Sequence, residues 1–368
     1  MTVDENLRCR VALNLILAET PGPAQKISRA IPNPADVLRT SVSELTAIGL
    51  SLKKAKTIAS PEILDRADKE IRRAEAKGIT ILTPEDDRYP DLLREVFDPP
   101  FVLYCAGKVE ALQGPAVAIV GARKSSAYGR AVGERLAQDL SMRGLVVVSG
   151  MARGIDSIAH WGALKGGRTV AVLGSGLDVV YPRENKMLFG KILQEGAVIS
   201  EYPFGAPPLG RHFPLRNRII SGLVLALVVV EAAERSGSLI SARLALEQNR
   251  EVMAVPGNIT SELSTGTNLL IKMGAKPVSG WEDVAEELPS SLRENVLESH
   301  PATPETAPDL SPEEKKIYRL MPSDSLIHVD ELVIKSDYSV SEVLSFLLSL
   351  ELKGLVVQSP GKYFRRKF

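Results

Sequence analysis

At 368 residues the chain exceeds one ordinary domain of about 100–200 residues, so two or three domains with a sizeable core are expected. Lysine plus arginine and aspartate plus glutamate each number 45, which excludes a uniformly basic coat and confines any polyanion site to a local patch on a neutral body. Two cysteines, Cys9 and Cys105, exclude a disulfide framework and lack the paired spacing of a zinc site, as expected of inert thiols in a reducing compartment.

The N-terminus carries acids ahead of its apolar run and has neither a basic n-region nor a small-residue cleavage site, so no signal peptide is read there. Residues 1–80 predict a small helical domain, with Leu7, Val11, Leu15 and Ala18 on one face. Within it, Ser43-Glu-Leu-Thr-Ala-Ile-Gly-Leu followed by Lys53 and Lys54 has the outline of a degenerate helix-hairpin-helix. Such a hairpin can present amides and lysines to DNA phosphates, but an apolar–Gly–apolar turn is equally an ordinary packing device, and both readings stand.

Residues 81–288 predict a Rossmann-like, doubly wound α/β domain, entered through an extended, proline-marked bridge from Thr83 to Gly107. From Ala116 the runs AVAIV, LVVVS, TVAVL, AVIS, LALVVVE, EVMAV and KPVS alternate with helical stretches such as Tyr128 to Arg143 and Leu239 to Gln248. Continuous apolar runs mark strands covered on both faces, hence a parallel sheet whose ligands sit beyond the carboxyl strand ends. The most apolar stretch, Leu223 to Val230, is far shorter than the ~20 residues of a membrane span and reads as a buried strand. Residues 289–310, rich in Pro, Ser, Thr and Glu, predict a flexible linker. Residues 311–368 predict a winged helix, from three helices (Pro312 to Leu320, Val329 to Lys335, Val340 to Lys353) and a hairpin around Ser-Pro-Gly-Lys. Its third helix exposes Ser341, Glu342, Ser345, Ser349 and Glu351 with Lys353 as its only basic residue, a poor phosphate reader, so this module is expected to be auxiliary.

Four strand ends deliver glycine-rich polar loops to one sheet edge: Gly121-Ala-Arg-Lys-Ser-Ser, Ser149-Gly-Met-Ala-Arg-Gly-Ile-Asp, Gly174-Ser-Gly-Leu-Asp and Glu231-Ala-Ala-Glu-Arg-Ser-Gly-Ser. Glycine lets backbone amides approach an anion, and serine hydroxyls and arginines add donors, which singles out Gly121, Arg123, Ser149, Gly150, Ser236, Gly237 and Ser238. Any parallel sheet also needs small residues at these turns; it is four such loops with interspersed arginines that favour an anion site. The most unusual segment is Gly210-Arg-His-Phe-Pro-Leu-Arg-Asn-Arg-Ile-Ile-Ser-Gly-Leu, where four of the eight residues from Arg211 to Arg218 are Arg or His. Arg211, Arg216 and Arg218, with Asn217, are candidate phosphate contacts, and Phe213, with Tyr202 and Phe204 upstream, offers stacking faces for bases. The competing reading pairs Arg216 or Arg218 with a core acid such as Glu201 or Glu231 and buries Phe213.

Catalytic signatures are missing. His160 and His212 begin no metal-ligand spacing, and His160 reads as a helix-packing residue. Gly162-Ala-Leu-Lys-Gly-Gly-Arg-Thr approaches a phosphate-binding loop, but Arg168 replaces the lysine and the order is helix then strand, which disfavours ATP hydrolysis. Gly121 is followed by Ala122, Arg123 and Lys124 and not by a dinucleotide fingerprint, so no nicotinamide or other cofactor is expected.

The segments GARKSSAYG, SGMARGIDSIAH, TVAVLGSGLDVVYPRENKML, SEYPFG, HFPLRNRIISGL, VVVEAAERSGSLISA, VMAVPG and TGTNLLIKMGA, spread over residues 60–280, closely resemble the DNA-processing protein A family (DprA or Smf). The resemblance implies a cytoplasmic, non-catalytic recombination mediator that binds incoming single-stranded DNA during natural transformation (competence), shields it, and helps load the RecA recombinase. It also implies a homodimer formed through the Rossmann-like domain, and a strand-binding pocket that includes Arg123, Arg183 and Arg211, with Asn185 beside Arg183. A lysine is common in the family where Arg183 stands here; arginine keeps the charge and adds a planar donor fork. The alternative is a nucleotide-processing enzyme of the lysine-decarboxylase-like phosphoribohydrolase type, whose Pro-Gly-Gly-x-Gly-Thr-x-x-Glu signature is absent: the comparable place holds EAAERSGS, Glu231 to Ser238. A transcription factor acting through the winged helix would need a basic recognition helix, which the sequence lacks.

Overall fold

The computed structural model describes residues 4–298, 310–322 and 326–366. Runs of valine, isoleucine and alanine with no polar side lose least free energy when both faces are covered, and all seven become strands of one sheet. They are β3 (Ala116–Val120), β4 (Val146–Ser149), β5 (Thr169–Val172), β6 (Ala197–Ser200), β7 (Ala226–Val229), β8 (Glu251–Ala254) and β9 (Lys276–Pro277), parallel throughout. Two further strands precede them, β1 (Thr80–Leu82) and β2 (Leu103–Gly107), so the bridge from Thr83 to Gly107 is in part a ladder. β2 pairs antiparallel with β6, Tyr104 opposite Ser200, and β1 with β2, giving the order β1-β2-β6-β5-β4-β3-β7-β8-β9. Their brevity and the prolines before β2 hide both from a periodicity reading.

Alternation along the strands assigns the two faces. Ala118 and Val120, Val146 and Val148, and Val170 and Val172 point to a core closed by α11 (His212–Gly222) and α12 (Gly237–Glu247). Val117, Ile119 and Val147 point the other way, to α8 (Ala127–Met142), α9 (Ile155–Gly166) and α14 (Trp281–Glu286). Farther along that second face Tyr104, Ala171 and Val198 meet α10 (Lys186–Glu195), α1 (Glu5–Leu17) and α6 (Glu62–Ala76). The expected boundary at residue 80 is therefore not a break in packing: α1 and α6 share a core with the sheet, and everything up to Ser299 forms one compact unit. Between them α2 (Pro21–Ala30), α3 (Pro34–Arg39), α4 (Val42–Ile48) and α5 (Leu52–Ile58) close a small cluster of their own around Leu13, Leu45, Ala55 and Ile58. α4 starts at a Ser41/Glu44 capping box and stops at Gly49, whose φ of +115° suits only glycine.

Residues 289–310 do not begin as a linker. Ser290–Glu298 is a helix whose Val296 is buried against the α8/α14 core; the apolar spacing Leu292 and Val296, i and i+4, is what docks it. The rest of that segment up to residue 309 lies outside the described residues.

The second unit begins at His300. By itself it is a winged helix: Pro312–Leu320, Val329–Ser336 and Val340–Leu352 pack around Ile317, Leu332, Val343 and Leu347, and the wing pairs Val356–Ser359 with Tyr363–Arg366. Both cysteines are free and buried, and burial pushes the Cys105 thiol up to about 12, which fits inert thiols. No described helix is long and apolar enough to cross a membrane.

Candidate nucleic-acid interface

β3 stands between β4 and β7: the chain leaves it toward β4, β5 and β6 on one side and returns to β7 and β8 on the other. The loops after β3 and β7 therefore part, and a crevice opens beyond their carboxyl ends. It has a volume of about 550 Å³ and is lined by Gly121 to Lys124 after β3, Ala152 and Asp156 around the start of α9, Phe213, Arg216, Asn217 and Ile220 of α11, and Ala233, Arg235 to Ser238 and Ser241 after β7. A smaller hollow of about 50 Å³ shares Arg123 and Phe213 with it and extends to Gly150, Gly174 and Tyr181.

Arg216 forms the floor. It is buried, and its Nη1 donates to the Val172 carbonyl at 2.6 Å. Gly150 permits this: a β-carbon there would collide with the guanidinium. Burial brings Arg216 down to about 10, opposed by the Asp156 carboxylate, so it remains a cation at neutral pH. Asp156 is itself buried, which raises its carboxyl, and it accepts from the Ala152 amide at 3.4 Å. Arg216 has no carboxylate within ion-pair distance among the described residues, so its charge is only partly compensated.

The walls are aromatic and the rim basic. Phe213 is half-buried, its ring 5.6 Å from that of Tyr181, and the Arg123 guanidinium lies 5.3 Å from its centroid. Arg123, Lys124 and Arg235 are exposed and form no ion pair among the described residues. Ser236 caps α12, accepting from the Ser238 amide at 3.3 Å, and Asn217 reaches the Gly237 carbonyl at 3.5 Å, so the loop after β7 is tied to α11. Gly121, Gly237 and Ser238 line the crevice.

Several expected residues stand elsewhere. Arg218 is not at the crevice: it is buried on the opposite side of α11, its Nε 2.9 Å from Asp98 and its Nη2 2.6 Å from Glu201. Its charge is matched by these two carboxylates, the core pairing that competes with phosphate contact. Ser149 is fully buried, and its Oγ donates to the Ile119 carbonyl at 2.7 Å, joining β4 to β3. Tyr202 and Phe204 are buried too; Tyr202 stacks on His212 at 4.2 Å and Phe204 meets Tyr104 edge-on, so neither offers a free face. Asn185 braces the loop after β4, donating to the Met151 carbonyl and Ser157 Oγ, both at 2.9 Å. Arg183 is exposed next to Pro182, which lines the small hollow.

Arg211 is exposed at the N-cap of α11, beside the crevice residue Gly210, but its guanidinium is engaged by Glu19 at 2.6 Å. The other Glu19 oxygen faces His212 Nε2 at 3.3 Å, and the hydrogen bond from Arg211 holds the Glu19 carboxyl below the usual range. His160 is a packing residue as expected: fully buried, 2.7 Å from Thr169 Oγ1, and lowered by burial to about 3. Glu231 accepts from the Ser126 amide at 2.9 Å and from its hydroxyl, a cap on α8 that keeps the carboxylate out of the crevice. Lys124, Asp156, Tyr181 and Arg235 are the site residues that sequence reasoning did not single out. All lie within or beside the motifs, but which loop side chains turn inward is set by strands distant in the chain.

The sequence pattern of DNA recombination-mediator protein A matches residues 80–289, a span that contains every wall of the crevice. The chain belongs to that family. The winged helix domain of DprA matches residues 301–362. Protein Smf of Escherichia coli (strain K12) is 41% identical over 289 residues, 77% of this chain and 77% of that protein. DNA processing protein DprA of Streptococcus pneumoniae (strain ATCC BAA-255 / R6) is 48% identical over 203 residues, 55% of this chain and 72% of that one. Among solved structures, DNA processing protein A from Streptococcus pneumoniae superposes with a TM-score of 0.65 at 36% identity, covering 76% of this chain and 98% of that one. DNA processing protein A from Helicobacter pylori, solved for its single-stranded DNA binding mode, gives a TM-score of 0.52 at 33% identity over 56% of this chain and 93% of that one. Fold class and family are thus those the motifs led us to expect.

Proposed function

We propose that this member binds single-stranded DNA in the β3–β7 crevice without chemically changing it. The observation that carries the reading is the convergence there of three exposed cations with no ion pair among the described residues, Arg123, Lys124 and Arg235, above a fixed buried cation, Arg216, beside the rings of Phe213 and Tyr181. Cations track the backbone without regard to sequence, and aromatic faces accept only bases that are not paired and stacked. A crevice of about 550 Å³ suits splayed nucleotides and not a base-paired ladder. The likeness to the Helicobacter pylori protein supports the same substrate.

By family analogy the cytoplasmic role is to shield incoming strands in natural transformation and help load a RecA-type recombinase, acting as a homodimer. The Glu231 carboxylate, occupied with Ser126, favours a binder over a phosphoribohydrolase. Fluorescence anisotropy with labelled single- and double-stranded oligonucleotides over a salt series tests the reading. We expect a preference for single strands, little sequence preference, and log affinity falling with log salt by about 0.7 per neutralised phosphate. Equal duplex affinity, or release of base from a nucleoside monophosphate in a parallel assay, would reverse it.

A further inference from the structure

The α4–α5 hairpin plays no part in the crevice, yet it gathers lysines around its turn. Lys53 and Lys56 are exposed and lie i, i+3 on one face of α5, and Lys26 folds over the turn, its Nζ 3.7 Å from where a β-carbon on Gly49 would stand. Lys54 is half-buried, with its Nζ on Thr20 Oγ1 at 2.6 Å. None of the four has a carboxylate within ion-pair distance among the described residues. Three ammonium groups on one short hairpin and a fourth from α2 are gathered around the turn by the packing of Leu45, Ala55 and Ile58 beneath them.

The hairpin also adjoins the candidate site. Lys54 is bonded to Thr20, the neighbouring residue Glu19 is bonded to Arg211, and Arg211 follows Gly210 on the crevice wall. Arg211, next to the crevice residue Gly210, and Lys54 of the hairpin are thus separated by one adjacent pair of residues, Glu19 and Thr20. We propose that the α4–α5 hairpin is a second contact surface for the DNA strand, on which phosphates leaving the crevice past Arg211 are neutralised by Lys53, Lys54, Lys56 and Lys26. This rests on the crevice reading. Glu19 is the carboxylate the strand must pass, and a phosphate replaces it on Arg211, an exchange open to it because ion pairs between exposed side chains are weak. The partner is a polyanionic strand and not an acidic protein, because the lysines continue a backbone path that already holds stacking aromatics.

The test uses the full chain, two strand lengths of about six and about twenty nucleotides, and a salt series. Lys53→Ala/Lys56→Ala removes only exposed side chains and leaves Lys54 on Thr20. On the long strand we expect the salt slope to become shallower by about 1.4, two phosphates at about 0.7 each, with the short strand unchanged. Lys53→Glu/Lys56→Glu is expected to enlarge the long-strand loss. An unchanged long-strand slope, or an equal loss on both lengths, overturns the hairpin surface. Arg123→Ala serves as the control: if it leaves short-strand binding intact, the crevice reading fails instead, and the silent variant tells the two failures apart.

Discussion

The two sides of α11 treat arginine in opposite ways. On the side facing the N-terminal helices, Arg218 is buried between Asp98 and Glu201, beside Asn14 and Phe97. On the crevice side Arg216 is equally buried, but its direct protein contact is a backbone carbonyl, with Asp156 acting only at a distance. A buried cation matched by two carboxylates has spent its charge on holding the fold. One bonded to a carbonyl keeps a field that reaches out of the protein, toward whatever anion enters. The difference teaches that burial does not decide whether a charge is structural; compensation does.

The sharpest break of that comparison is Arg218→Met. It leaves Glu201, whose carboxyl burial already raises, without its guanidinium, and is expected to cost about 3–5 kcal/mol in urea unfolding. The folded fraction should bind single strands as the wild type does; a large affinity loss at small stability cost would make Arg218 a binding residue. Arg216→Met reverses the pattern, with about 10–100-fold weaker binding from loss of a charge-assisted donor worth about 1.5–3 kcal/mol. Phe213→Ala separates stacking from charge: about 1–3 kcal/mol of affinity is expected to go with the salt slope unchanged, and Phe213→Tyr should restore it. A slope change in Phe213→Ala would mean that the ring acts by positioning Arg123, which lies over it.

If binding resides in the crevice, the winged-helix unit contributes little. Truncation after Glu298 keeps the buried Val296 in place and is expected to lower single-strand affinity less than tenfold, under about 1.4 kcal/mol, by anisotropy. Truncation at Leu288 would strip that packing and confuse the result. The third helix supports the expectation, since Lys353 is held on Glu314 at 2.7 Å and the exposed positions include Leu348 and Leu352. Ser349, expected on the surface, instead turns inward to Glu314.

That pair extends the rule about compensated charge. Hydrogen bonds from Lys353 and Ser349 hold the Glu314 carboxyl at about 2, against an ordinary 4.5. A lowered folded value means that the stability it contributes is complete above about pH 4.5 and is lost as pH falls through about 2. The stability of this unit, followed by methyl resonances of Ile317 and Leu347, is expected to fall across that window in the wild type and much less in Glu314→Gln. An equal fall in both would remove the pair from the account.

Much of this was legible in the chain itself. The seven parallel strands and the winged helix follow from apolar runs, periodicities and turn residues, all local physics that a short window contains. The glycine-rich loops were legible as an anion edge because a parallel sheet delivers every βα loop to the same end. β1, β2 and the docked helix Ser290–Glu298 were not, since their pairing and packing come from β6 and the α8/α14 core and not from their own pattern.

The sequence by itself determined the family, the sheet and the helix that carries the arginines. Arg216 and Arg218 stand two residues apart, hence about 200° around a helix, so periodicity alone puts them on opposite sides. Which side meets solvent and which meets carboxylates was decided only by the tertiary structure. Asp98 comes from the segment before β2, Glu201 follows β6, and Gly150 follows β4, and a charge's compensation depends on groups within a few ångströms however far along the chain they lie.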